Sequence, residues 1–107
     1  MVRFGEFTLD PHRRRLSKSG TPIEITPKCL DLLIALVSQA GVTLSRQTLA
    51  SSVWGDPASS DATLTQHVFM LRRVLRDGEP QRDFVATIPR VGYRFVGEIE
   101  PVVTRAW

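Results

Sequence analysis

Between Pro27 and Val37 the chain carries Leu30, Leu32, Leu33, Ile34, Leu36 and Val37, more apolar circumference than one neighbouring element can cover. Such a segment is a stable helix only when a domain encloses it on several sides, so the remaining residues must supply those surfaces. Its start is marked by Thr26-Pro27, a capping side chain before a proline at the first helical position, where the missing N–H costs nothing. Its end is expected near Ala40, with Gly41 best able to take the left-handed conformation that follows.

On the N-terminal side, Val2, Phe4, Phe7 and Leu9 around Gly5, then Leu16 and Ile23 to Ile25, read as short strands of an antiparallel meander. The stretch Ser17-Lys18-Ser19-Gly20-Thr21-Pro22 reads as a turn between them. The three arginines Arg13, Arg14 and Arg15 would alternate faces along a strand and give a solvated edge that resists aggregation. On the C-terminal side a second, two-turn helix is expected after the N-cap Ser45, carrying Leu49, Val53 and Trp54 and ending at Gly55 and Pro57. A third helix, 61–76, begins at Asp61, whose charge suits the positive end of the helix dipole, and stops at Asp77-Gly78.

In that third helix Leu64, Val68, Leu71 and Leu75 recur at steps of four, three and four and define one buried seam. Thr65, Gln66, Phe69, Met70, Arg72, Arg73 and Arg76 are left for solvent or a partner. After a polar link containing Pro80, Phe84–Ile88 and Tyr93–Val96 read as two strands joined by Pro89-Arg90-Val91-Gly92, with Gly92 permitting the tight turn. The fold class is therefore α+β. The domain is expected to cover residues 1–98, with 99–107 a C-terminal tail or linker stub, because no periodicity continues past Gly97.

Several functions are excluded by what 107 residues contain. Cys29 is the single cysteine, so neither an intramolecular disulfide nor a thiolate metal cluster can form, and it reads as a small buried hydrophobe in a reducing compartment. His12 and His67 are isolated, no serine or cysteine has a base partner, and no glycine-rich phosphate loop occurs; no enzyme activity, small-molecule substrate, metal or cofactor is expected. No apolar run is long enough to span a bilayer. A net charge of +3, carried almost entirely by arginine, favours an anionic partner only modestly.

Two short helices, a third with an arginine-rich outer face and a hairpin with a basic tip form an arrangement that can place a recognition helix in a major groove and a wing on the backbone or minor groove. In this frame Gln66 suits a bidentate contact with adenine, and Thr63 or Met70 a thymine methyl. In the wing, Arg90 is the candidate for a minor-groove or phosphate contact, with Thr87 and Arg94 as backbone partners, although strand alternation could also send Arg94 to solvent.

The residues Leu9-Asp10, Arg15-Leu16, Ile25-Thr26-Pro27, Ser45-Arg46-Gln47-Thr48-Leu49, Val53-Trp54-Gly55, Asp61 to Val68, Leu71-Arg72-Arg73-Val74-Leu75 and Thr87 to Phe95 together carry a family likeness. From Phe4 to Val96 the chain resembles the OmpR-type winged-helix DNA-binding effector domain. Asp-Ala-Thr-Leu-Thr at 61–65 and Thr-Ile-Pro-Arg before Gly-Tyr bring it closer to the ToxR and CadC-like subgroup. The resemblance implies a winged helix-turn-helix with an N-terminal four-stranded antiparallel sheet, a three-helix bundle and a C-terminal hairpin wing over 88–94. It implies sequence-specific binding of double-stranded DNA by a bacterial transcriptional regulator, a homodimer on tandem half-sites and RNA polymerase at loop 55–60. It places the domain in the cytoplasm, with the subgroup's usual membrane span beyond Trp107.

The same likeness implies phosphate or base contact for at least one of Arg72, Arg73 and Arg76, with Arg72 and Arg73 favoured because Arg76 lies close to the helix end, where the residues alone read as a solvated charged face; it implies a backbone contact for His67, which otherwise reads as a satisfied helix histidine. Trp54 either sends its indole N–H to a phosphate or plugs the core; its amphipathic ring allows both. Phe69 and Met70 depart from the pattern of receiver-linked relatives, and a Phe exposed there reads DNA shape, packs, or marks a protein contact. The rival class is a winged-helix protein-interaction module without specific readout.

Overall fold

The computed structural model describes residues 1–56, 61–76 and 83–101. The expected stop of the third helix at Asp77-Gly78, the link through Pro80, residues 57–60 of the loop expected to face RNA polymerase, and residues 102–107 of the tail lie outside them. The chain divides into two units, residues 1–24 with the segment from Glu98, and residues 25–97. The fold is α+β: a winged helix-turn-helix with the four N-terminal strands, three helices and hairpin that the sequence implied.

The first unit is an antiparallel sheet of β1 (Val2–Phe4), β2 (Phe7–Asp10), β3 (Arg15–Lys18), β4 (Thr21–Pro22) and β8 (Glu100–Pro101), in the order β4-β3-β2-β1-β8. Phe4 opposes Phe7, and Leu9 opposes both Val2 and Leu16, so strand alternation gathers the large apolar side chains on one face. Phe4, Phe7, Leu9 and Leu16 are buried. The six-residue turn expected at 17–22 shrinks to Ser19-Gly20, because both residues take left-handed backbone, φ 50 and 83, and two such residues reverse a hairpin. Arg13 and Arg14 occupy the β2–β3 turn rather than a strand, with Arg14 at φ 54 and the Arg13 N–H donating to the Asp10 carboxylate at 3.2 Å. The fifth strand, β8, pairs with Val2 and Arg3 and carries no periodic signal because it is two residues long.

The second unit holds α1 (Pro27–Ser38), β5 (Thr43–Ser45), α2 (Arg46–Trp54), α3 (Asp61–Leu75), β6 (Val85–Ile88) and β7 (Gly92–Phe95). α1 buries Cys29, Leu30, Leu32, Leu33 and Leu36, while Ile34 and Val37 are half-buried. Its cap forms as read: the Cys29 N–H donates to Thr26 Oγ1 at 3.3 Å. Thr26→Ala should therefore lower stability by about 1 kcal/mol in a denaturant titration. α2 is capped by Ser45 and closed by Gly55 in the left-handed region, while Lys28 Nζ donates to the terminal carbonyl of Val53 at 3.0 Å. Leu49, Val53, Leu64, Val68, Leu71 and Leu75 complete the helical core with Phe84, Val85, Tyr93 and Phe95.

The hairpin is joined by a third strand that the sequence did not announce, giving the order β5-β7-β6. β5 pairs Thr43, Leu44 and Ser45 with Arg94, Tyr93 and Gly92. The turn also differs from the reading. Arg90, not Gly92, holds the positive φ, 65, and the Val91 N–H donates to Ile88 O at 3.0 Å around Pro89 and Arg90. Proline at the second position and a left-handed third residue are the marks of a type II turn. Gly92 is needed for another reason: a Cβ there would collide with the backbone carbonyl of Leu44. Among the described residues, no helix is long and apolar enough to cross a membrane.

Candidate nucleic-acid interface

Helical spacing divides α3 into four strips. Leu64, Val68, Leu71 and Leu75 are buried. Directly opposite run Ala62, Gln66, Phe69 and Arg73, all exposed. On one flank Thr63, His67, Met70 and Val74 are half-buried. On the other lie Thr65, Arg72 and Arg76.

The half-buried flank divides the residues expected at the groove by exposure. Thr63, His67 and Met70 were placed with Gln66 toward the groove, but only Gln66 reaches the outward strip. His67 Nδ1 is 2.8 Å from the Thr63 carbonyl, one turn back, and its ring meets Trp54 edge-on with centroids 5.1 Å apart. Trp54 is itself half-buried at the end of α2, so it is neither a full core plug nor a freely exposed indole.

The other flank is tied to the wing. Arg72 Nη2 donates to Val85 O at 2.8 Å and Thr87 Oγ1 at 2.7 Å, and its Nε donates to Val85 O at 3.2 Å. Asp83 stands 3.8 Å from Arg72 and 3.2 Å from Arg76. The two candidates Arg72 and Thr87 thus meet each other, and the arginine fixes the last turns of α3 to β6. The side chains of Arg73, Gln66, Arg90 and Arg94 make no hydrogen bond or ion pair to another described residue. Arg73 projects from the outward strip, Arg90 from the wing tip, and Arg94 lies half-buried on β7 between Thr43 and Ala86.

A residue that sequence reasoning passed over organises the opposite end of α3. Arg46, first in α2, donates through Nε to Asp61 Oδ1 at 3.1 Å, and through Nη2 to Asp61 O at 3.1 Å and Thr65 Oγ1 at 2.6 Å. Its Nη1 donates to Tyr93 Oη at 2.9 Å, and the guanidinium carbon lies 5.4 Å from the Tyr93 ring centroid. Burial opposes the charge, but hydrogen bonds to Asp61 and Tyr93 outweigh it and hold the pKa above the ordinary arginine value. One planar fork thereby joins α2, the first turn of α3 and β7. Its partners lie 15, 19 and 47 positions away, so no local pattern could reveal it.

Arg90 also departs from ordinary backbone. An arginine at a left-handed position that glycine would fill at lower cost is a backbone concession of about 1 kcal/mol. The concession keeps a cation at the wing tip. Together the outward strip and the tip present Gln66, Arg73 and Arg90 from elements locked by Arg46 and Arg72.

Comparison with known proteins bears on the family and the fold. The family model described as transcriptional regulatory protein, C terminal, matches residues 20–95. The transcriptional activator CadC of Escherichia coli K12 is 30% identical over 97 residues, 90% of this chain and 19% of the relative. The transcriptional regulator HilA of Salmonella typhimurium is 35% identical over 80 residues, 75% of this chain and 14% of the relative. The chain therefore spans less than a fifth of either. Among solved structures, the DNA-binding domain of E. coli CadC superposes with a TM-score of 0.82 at 29% identity, covering 92% of this chain and 94% of that one. The Klebsiella pneumoniae RstA DNA-binding domain in complex with its RstA box gives 0.76 at 25% identity, over 88% and 94%.

Proposed function

The chain belongs to the family of C-terminal domains of transcriptional regulatory proteins, and from that membership we propose that it binds double-stranded DNA sequence-specifically, with α3 in the major groove and the 88–94 wing on the backbone or minor groove. The observation that carries this reading is the outward strip of α3, with Arg73 unpaired among the described residues, set beside a wing that keeps Arg90 in strained backbone at its tip. The likeness to a relative solved in complex with its DNA box supports it. Gln66 reads a base edge, Arg73 a phosphate or guanine, and Arg90 a phosphate or the minor groove. Trp54, Thr63, His67, Met70 and Arg94 border that surface. Arg72 and Thr87 act through the wing, by holding β6 against α3.

In this reading residues 1–98 form the working module and act in the cytoplasm, where the DNA is. Two copies pair on tandem half-sites, and loop 55–60 faces RNA polymerase. A mobility assay with a genomic fragment pool at moderate salt, followed by footprinting, tests the central statement; if no fragment is enriched over competitor DNA, it fails.

Two substitutions separate the cations. Arg73→Ala should reduce discrimination between sites and lower the slope of log affinity against log salt by about 1. Arg90→Gly removes a charge and the backbone strain together. Its affinity should fall several-fold and evenly across sequences, while its stability stays level or rises by about 0.5 kcal/mol. A parallel fall in stability would show that Arg90 serves the turn rather than DNA.

A further inference from the structure

We propose that Phe69 is a specificity-determining residue of this domain, its ring meeting the C5-methyl groups of thymines in the major groove. The inference rests on the DNA-binding reading above and assigns a role that the family likeness does not supply. Phe69 is 61% exposed, more than Met1, Val42, Val91 or Val96, the other large exposed hydrophobics of the described residues. Single exposed apolar side chains are ordinary on protein surfaces, so exposure alone assigns nothing. Position decides here: Phe69 stands mid-strip, three residues after Gln66 and four before Arg73, the two polar side chains of the strip left without described partners. Whatever docks against Gln66 and Arg73 must cover the ring between them.

The partner chemistry follows from what a phenyl ring can recognise. It offers no donor and no acceptor, so it cannot read the hydrogen-bonding pattern of a base edge. In the major groove the one apolar group on a base edge is the thymine methyl. The residues to which sequence reasoning gave that contact, Thr63 and Met70, are turned to the half-buried flank beside Trp54 and His67. An α3 fixed by Arg46 and Arg72 presents the ring with little freedom to lose, because phenylalanine has two side-chain torsions and the backbone beneath it is held at both ends. The exposed cation of Arg73, one turn along the same strip, suits a polyanion around an apolar patch better than it suits an apolar protein surface.

The test uses duplex sites selected from a random pool by the full chain. Each thymine of a selected site is replaced singly by uracil, which removes the methyl and leaves the pairing edge intact, and affinity is read by fluorescence anisotropy for wild type and Phe69→Ala. One or two positions should weaken wild-type binding about three- to fivefold, the effect of one methyl's worth of buried apolar surface. At those positions the variant should not distinguish thymine from uracil. Methyl sensitivity absent from wild type, or retained in Phe69→Ala, overturns the proposal. So does undiminished affinity of the variant, which would place the ring against a protein partner. A matching thermal melt of the variant checks its fold, and the wild-type scan stands without it. Failure to select any site would instead overturn the DNA-binding reading itself.

Discussion

Replacing Arg46 with methionine is expected to weaken binding to a selected site at least tenfold and to lower stability by about 2 kcal/mol. Methionine keeps the apolar stem and removes only the fork, so the loss reports hydrogen bonds rather than packing. Four of them vanish together: two to Asp61, one to Thr65 and one to Tyr93. Asp61 and Thr65 belong to the first two turns of α3 and Tyr93 to β7, so the variant releases the helix start from the wing while both stay folded. Arg46 is already paired, so it releases no counterions on binding. The salt slope of Arg46→Met should therefore equal that of wild type, whereas Arg73→Ala lowers it. A cycle with Tyr93→Phe isolates the hydroxyl, whose single bond accounts for about 1 kcal/mol. Unchanged melting and affinity in Arg46→Met would remove Arg46 from the account.

Which features were legible in the sequence follows from their range. Thr26, Ser45 and Gly55 mark helix ends by bonds within a few residues, and each is found where its chemistry requires. The seam Leu64-Val68-Leu71-Leu75 is a local period and is buried as read. The strands β5 and β8 were invisible because three and two residues cannot show alternation, and each is defined by a partner far along the chain. The same limit hid the occupations of the arginines. Arg72, Arg73 and Arg76 are near neighbours of one type, and only the placement of β6 and Asp83 decides that the first and last face the protein while Arg73 faces out. Helical spacing alone could not divide Gln66 from Thr63, His67 and Met70 either, since the width of the half-buried flank depends on where Trp54 lies.

Gly92→Ala should be the most damaging single-methyl change in the second unit, lowering stability by about 3 kcal/mol or more, the upper range for forcing an atom into filled space. Gly92 is outside the left-handed region, so alanine fits its backbone torsions. By torsional preference alone the change would stabilise by about 0.5–1 kcal/mol through the unfolded chain. The entire loss must then come from the Leu44 carbonyl, a backbone atom that cannot rotate aside. Relief requires β5 to move away from β7, and β5 ends at Ser45, which caps α2 directly before Arg46. Displacement there disturbs the fork that aligns α3 with the wing. A melting temperature lower by roughly 12 °C should thus accompany weaker DNA binding. Gly41→Ala is the matched comparison: its φ is 83 and nothing lies within 4 Å of the added methyl, so strain alone operates, costing about 1 kcal/mol. Equal melting temperatures for the two variants would show that the β5–β7 approach yields easily and that Gly92 is not what fixes the wing.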